Sequence, residues 1–126
     1  LLSDLIYKGV VPVMAPLTHD GEGNMLNTNA DTIAGETAKA LAQFFDVTLV
    51  FCFEKKGVLR DENDDVSVIP QITPAEFNQY VADGIIQGGM IPKLENSFEA
   101  INAGVSEVVI TLASAINGDS GTRIKK

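Results

Sequence analysis

The sequence holds 126 residues, 45% of them hydrophobic, with eleven glycines and a formal net charge of −8. That length suits one domain with a single core, and the composition suits a folded α/β protein rather than a disordered chain. The acidic balance argues against a nucleic-acid partner, no apolar run reaches the ~18 residues of a membrane span, and no secretory signal is visible.

The chain opens Leu1-Leu2-Ser3-Asp4-Leu5-Ile6-Tyr7-Lys8-Gly9 without an initiator Met, and reads as the end of an amphipathic helix closed by Gly9. A domain that opens midway through a helix is expected to be a fragment, or one whose beginning is not included. Val10 to Ala15 is a short apolar run after a glycine and predicts a buried strand. Thr18 to Asn24 is dense in turn formers and predicts a hairpin-like excursion, with His19, the lone histidine, as a loop residue.

Asp31 starts a helix whose apolar positions Ile33, Ala34, Ala38, Leu41, Phe44 and Phe45 follow the helical period. Thr48 to Phe53, β-branched and aromatic, reads as a second strand. Cys52 inside it is the lone cysteine, and is expected to be a buried, reduced thiol of a cytoplasmic protein, with a reactive thiol as the minority reading. One His beside one Cys makes no zinc site.

Residues 60–65 are too polar to pack and predict a surface loop. Thr73-Pro74-Ala75-Glu76 is a capping box with Pro at the first helical position, opening a helix to about Asp83. A further helix spans Met90 to Asn102, with Ile91, Leu94, Phe98 and Ile101 on one stripe and Gly104 as stop. Val105 to Leu112 reads as a third strand, and Thr122 to Ile124 as a candidate edge strand after a turn at Gly118. Glu95, Glu99 and Glu107 are read as solvated. Strands alternating with helices predict a mainly parallel sheet covered by helices, with ligands at the carboxyl ends of strands.

Three segments carry groups suited to chemistry. In Asn27-Thr28-Asn29-Ala30-Asp31, alternate side chains of an extended stretch share a face, so two amides and a carboxylate would converge at a helix start. The plain alternative is that Asn29 or Asp31 caps the helix, although a cap needs only one such residue. In Gly88-Gly89-Met90-Ile91-Pro92-Lys93, consecutive glycines let the backbone approach an anion. Lys93 lies ~100° around the helix from Leu94, off the apolar stripe, with its ammonium free to reach back over the glycines. The alternative there is a solvated lysine after a glycine turn. Glu54-Lys55-Lys56-Gly57-Val58-Leu59 follows the second strand, where a nucleotide's ribose and phosphates could rest or a charged surface turn could form.

Taken in order, these strings resemble the N-acetylglutamate kinase branch of the amino acid kinase family. Pro12 to Pro16 is similar to that family's Pro-Val-Ile-(Ala/Ser)-Pro strand, and Asn27 to Asp31 to its Asn-x-Asn-Ala-Asp motif. Asp83 to Lys93 resembles its Asp-Gly-x-Ile-x-Gly-Gly-Met-Ile-Pro-Lys segment, and Gly121 to Ile124 its closing Gly-Thr-x-Ile. The resemblance runs over nearly the whole chain and implies a three-layer α/β sandwich. Residues 1–126 would be the C-terminal, nucleotide-binding part, with the substrate half absent.

The implied reaction is ATP-dependent phosphorylation of the side-chain carboxylate of N-acetyl-L-glutamate, or a close N-acyl-glutamate, in arginine synthesis. The implied co-substrate is ATP with Mg2+, no metal being ligated by the protein itself, and the full-length protein is expected to be a homo-oligomer. The resemblance assigns catalytic roles to Lys93 and Asp31 and substrate contacts to Asn27 and Asn29. It assigns the nucleotide site to Glu54, Lys55, Lys56, Gly57, Val58 and Leu59, together with Ile85, Ile86, Gln87, Gly88, Gly89 and Met90. The family's usual Ser/Thr-Asp at the end of the second strand is replaced by Phe53-Glu54, which bears on nucleotide contacts. A non-catalytic nucleotide-binding or regulatory module of the same fold is the competing reading. The fragment alone is expected to be inactive.

Overall fold

The computed structural model describes residues 1–116 and 121–126. The turn expected at Gly118 lies outside them. Helix α1 (Leu2–Tyr7) ends before Gly9, whose φ of 83° supplies the left-handed residue that closes it. The excursion is an antiparallel hairpin of β1 (Leu17–His19) and β2 (Met25–Asn27). Its turn is organised by Asp20, whose carboxylate accepts from the Glu22 and Asn24 N–H groups and the Asn24 amide.

The main sheet contains β3 (Thr48–Phe53), β4 (Gln71–Ile72), β5 (Glu107–Leu112) and β6 (Thr122–Ile124), in the order β3-β5-β6-β4. Pairs β3/β5 and β4/β6 are parallel, and β5/β6 is antiparallel. The register sets Phe51 beside Ile110, Ile110 beside Thr122, and Val108 beside Ile124. Alternation along each strand then puts Leu49, Phe51, Phe53, Val108, Ile110 and Ile124 on one face.

Helices α2 (Ala30–Leu41) and α4 (Met90–Asn102) pack against each other over that face, with α3 (Pro74–Ala82) beside α4. Ala38, Leu94, Ala100 and Ile101 close the core from the helical side, and Phe77 meets Phe98 at 5.4 Å between ring centroids. Lys39 of α2 reaches Glu36 at 2.9 Å and Glu99 of α4 at 3.6 Å. The Glu36 hydrogen bond is the main reason its ammonium titrates above the usual 10.5. Among the described residues no helix is long and apolar enough to cross a membrane.

The strand expected over Val10 to Ala15 does not form. The segment is extended, yet it pairs with no strand among the described residues, and Val11 and Val13 are 83% and 94% exposed. Pro12, Met14 and Pro16 instead border an open apolar groove of about 350 Å³ with α2 and the start of β3. Thr122 to Ile124 forms a strand, but an interior one: Thr122 and Ile124 are fully buried between β5 and β4. The short strand β4 had no sequence signal of its own.

Cys52 is exposed, contrary to the expectation of burial. The parity that turns Phe51 and Phe53 toward the helices turns Cys52 to the opposite face. Glu107 is not a solvated residue either; it pairs with Arg123 across the sheet, its side chain 24% exposed.

Candidate active site

Helix α2 begins where the extended chain of β2 ends. Asn29 is its N-cap: its Oδ1 accepts from the Asp31 N–H at 2.8 Å. The extended register therefore stops at Asn29, and the direction of Asp31 is set by the first helical turn. Because Asn29 supplies the cap, the Asp31 carboxylate is free of that duty. It turns to α4 and accepts from Lys93 Nζ at 2.6 Å, across 62 residues of sequence. Asn27, at the end of β2, is exposed.

Lys93 is not the solvated lysine of the plain alternative, since its side chain is 14% exposed and that of Asp31 36%. Its ammonium has two defined contacts. It sits against Asp31 and over the Phe51 ring, 4.8 Å from the centroid. Its carbonyl accepts from the buried Ser97 hydroxyl at 2.8 Å, which ties the first turn of α4 to the second. Lys93 and Asp31 thus stand at the N-terminal ends of two packed helices, where the macrodipoles favour an anion.

Gly88 has φ of 61°, a conformation for which glycine is suited, and a Cβ on Gly88 or Gly89 would meet nothing within 4 Å. Gly89 then opens α4 without a side-chain cap. This turn borders a cavity of about 380 Å³ that also receives Lys55, Gly57, Val58 and Leu59 from the loop after β3, and Ile85, Gln87 and Met90 from the approach to α4. Most of the expected nucleotide residues are therefore gathered at one place.

Glu54, Lys56, Ile86 and Gly88 do not line that cavity. Ile86 is 1% exposed and belongs to the core. Phe53 and Glu62 do line it. Phe53 could have been found from strand parity, whereas Glu62, within a run read as solvated, gave no signal. Phe53 follows Phe51 by two residues on the same face of β3, and Met90 precedes Lys93 by three on α4, so cavity and ion pair are neighbours.

The loop between them owes its path to one hydroxyl. Thr122 Oγ1 accepts from Val58 N at 2.8 Å and donates to the Ile69 carbonyl at 2.6 Å. Gly57 permits this approach, because a Cβ there would fall 2.8 Å from Thr122 Oγ1 and 3.0 Å from Val68 Cγ1. Packing against Thr122 and Val68 thus already requires glycine at this cavity-lining position. Among the described residues no group of three His, Cys, Asp or Glu side chains could hold a metal ion.

Residues 1–112 match the model of the amino acid kinase family. The chain is 86% identical to the acetylglutamate kinase of Bacteroides fragilis, a match covering 100% of this chain and 48% of that protein. It is 82% identical to that of Phocaeicola vulgatus, over 99% of this chain and 49% of the relative. Among solved structures, smu.665 from Streptococcus mutans superposes with a TM-score of 0.78 at 33% identity, over 98% of this chain and 46% of that one. The chain spans about half the length of the curated relatives it matches. With a family match over most of its residues and a fold shared along nearly its whole length, the chain belongs to the amino acid kinase family.

Proposed function

We propose that the protein carrying this chain transfers the γ-phosphoryl group of ATP to the side-chain carboxylate of N-acetyl-L-glutamate or a close N-acyl-glutamate. The reaction would serve arginine synthesis in the cytoplasm, and residues 1–126 would form the C-terminal, nucleotide-binding part of a homo-oligomeric enzyme. The observation that carries this reading is the Asp31–Lys93 pair, drawn together from two distant motifs beside a cavity lined by the glycine turn and the loop after β3. The names of the relatives supply the substrate class.

In this mechanism a carboxylate oxygen of the acceptor attacks the γ-phosphorus. The bond to the bridging oxygen breaks, ADP leaves with that electron pair, and an acyl phosphate forms. Little covalent work falls to the protein, so positioning and charge neutralisation dominate. Lys93 offers a cation to the charge spread over the transferring group, and Asp31 holds that cation in place. Lys55 and the N-terminal N–H groups of α4 face the phosphates. Phe53, Val58, Leu59 and Met90 give the base and ribose an apolar wall. Asn27 and the amide nitrogen of Asn29 are available to the acyl-amino acid.

The described residues form no cluster of acids to cage Mg2+. The ion would arrive on the nucleotide, held by phosphate oxygens, as Mg2+ commonly is. A nucleotide-binding module without catalysis would keep the part-buried Asp31–Lys93 pair only as a tie between α2 and α4.

The test is ADP release by the full-length protein with ATP, with and without N-acetyl-L-glutamate. Release that depends on the acceptor supports the reading. ATP binding without acceptor-dependent turnover would favour the non-catalytic module. The isolated 126 residues, about half the length of the curated relatives, are expected to transfer no phosphate.

A further inference from the structure

Lys93 is held on two sides. Asp31 Oδ2 takes one N–H at 2.6 Å, and the Phe51 ring lies beneath the ammonium with its centroid at 4.8 Å. Phe51 is 4% exposed, fixed on the helix-facing side of β3 and paired in register with Ile110. Its ring is therefore a rigid platform, whereas a lysine stem alone is flexible and a single carboxylate oxygen restrains it from one direction only.

The two partners differ in what they cost the cation. A carboxylate orients an ammonium but also cancels part of its field. A neutral ring attracts it through the quadrupole of the π-face and leaves the positive charge intact for another anion. A second acid at position 51 would hold Lys93 as firmly and leave it with little charge to offer a phosphoryl group.

We propose that Phe51 is a positioning residue for phosphoryl transfer: its ring face steadies the Lys93 ammonium against Asp31 without neutralising it. The proposal rests on Lys93 being the cation that meets the transferring group, as argued above. Phe51 touches no substrate and acts only through Lys93.

The test uses the full-length enzyme with phenylalanine at position 51 replaced by mono-, di- and trifluorophenylalanine, which withdraw charge from the π-face with little change in ring size. A graded fall in kcat is expected, with KM for ATP and the melting temperature nearly constant. Phe51→Leu, which keeps an apolar side chain but no ring, should lower kcat roughly 3- to 30-fold, the range of a partly desolvated cation–π contact. In a Lys93→Ala background the same replacement should cost no further kcat, since the ring then has no cation to steady.

A flat kcat across the fluorinated series, with Lys93→Ala still impaired, would overturn the role of Phe51 and leave the function reading standing. Normal kcat in Lys93→Ala would instead remove that reading itself.

Discussion

Replacing Thr122 with Val removes one hydroxyl while keeping the shape of the side chain. In the structure that hydroxyl satisfies two buried backbone groups at once, Val58 N at 2.8 Å and the Ile69 carbonyl at 2.6 Å, and Thr122 itself is fully buried. A buried polar group left without a partner costs about 1–3 kcal/mol. The Ile69 carbonyl has a second lone pair open to another donor, and among the described residues the Val58 N–H has this one acceptor, so the lower part of the doubled range applies, about 2–4 kcal/mol.

Thermal unfolding of the full-length protein should then show a melting temperature lowered by roughly 4–16 °C, given about 2–4 °C per kcal/mol for a chain of 150–250 residues. Thr122→Ser, which keeps the oxygen, should recover most of the loss. Because Val58 and its neighbours line the cavity, KM for ATP should rise in Thr122→Val and return in Thr122→Ser. A Thr122→Val protein as stable as the parent would refute the argument that this hydroxyl fixes the loop.

The division of labour at the start of α2 predicts two separate phenotypes. Asn29→Ala should lower stability by about 0.5–2 kcal/mol through the lost cap, whereas Asp31→Asn should act mainly on kcat; urea unfolding and steady-state kinetics on both variants check this. In the hairpin, the hydrogen bond from the Asn24 amide holds the Asp20 carboxyl below its usual 3.8. Its stabilising contribution is thus complete above that value and is lost as pH falls through the lower folded one. Asn24→Ala should move the Asp20 titration upward when followed by carbon NMR of the carboxyl.

The elements whose side chains repeat with one period were legible in the sequence. Helix α4 was expected over Met90 to Asn102 and is found there, because its apolar stripe and bounding glycines agree. The Thr73 cap and Pro74 marked the start of α3 equally well. Readings failed where the outcome depended on a partner elsewhere in the chain. Val10 to Ala15 has the residues of a strand but no strand beside it, and Thr122 to Ile124 looked peripheral because β4, its other neighbour, is two residues long.

Cys52 misled because an apolar run hides its own parity. In the site, the motifs were visible, but their junction was not. Nothing local said that Asn29 would take the cap and release Asp31, or that Lys93 would find a ring as well as a carboxylate. Gly57 lines the cavity as expected, but its packing against Thr122, 65 residues further on, gave no local signal.

The central claim is that Lys93, paired with Asp31, stabilises the transferring phosphoryl group. The direct measurement is acceptor-dependent ADP release by the full-length Lys93→Ala enzyme beside the parent, at saturating ATP. The account predicts a fall in kcat of ~10²-fold or more, the scale of losing one preorganised charge contact, with a smaller change in KM for ATP. A Lys93→Ala enzyme with near-normal kcat would contradict it.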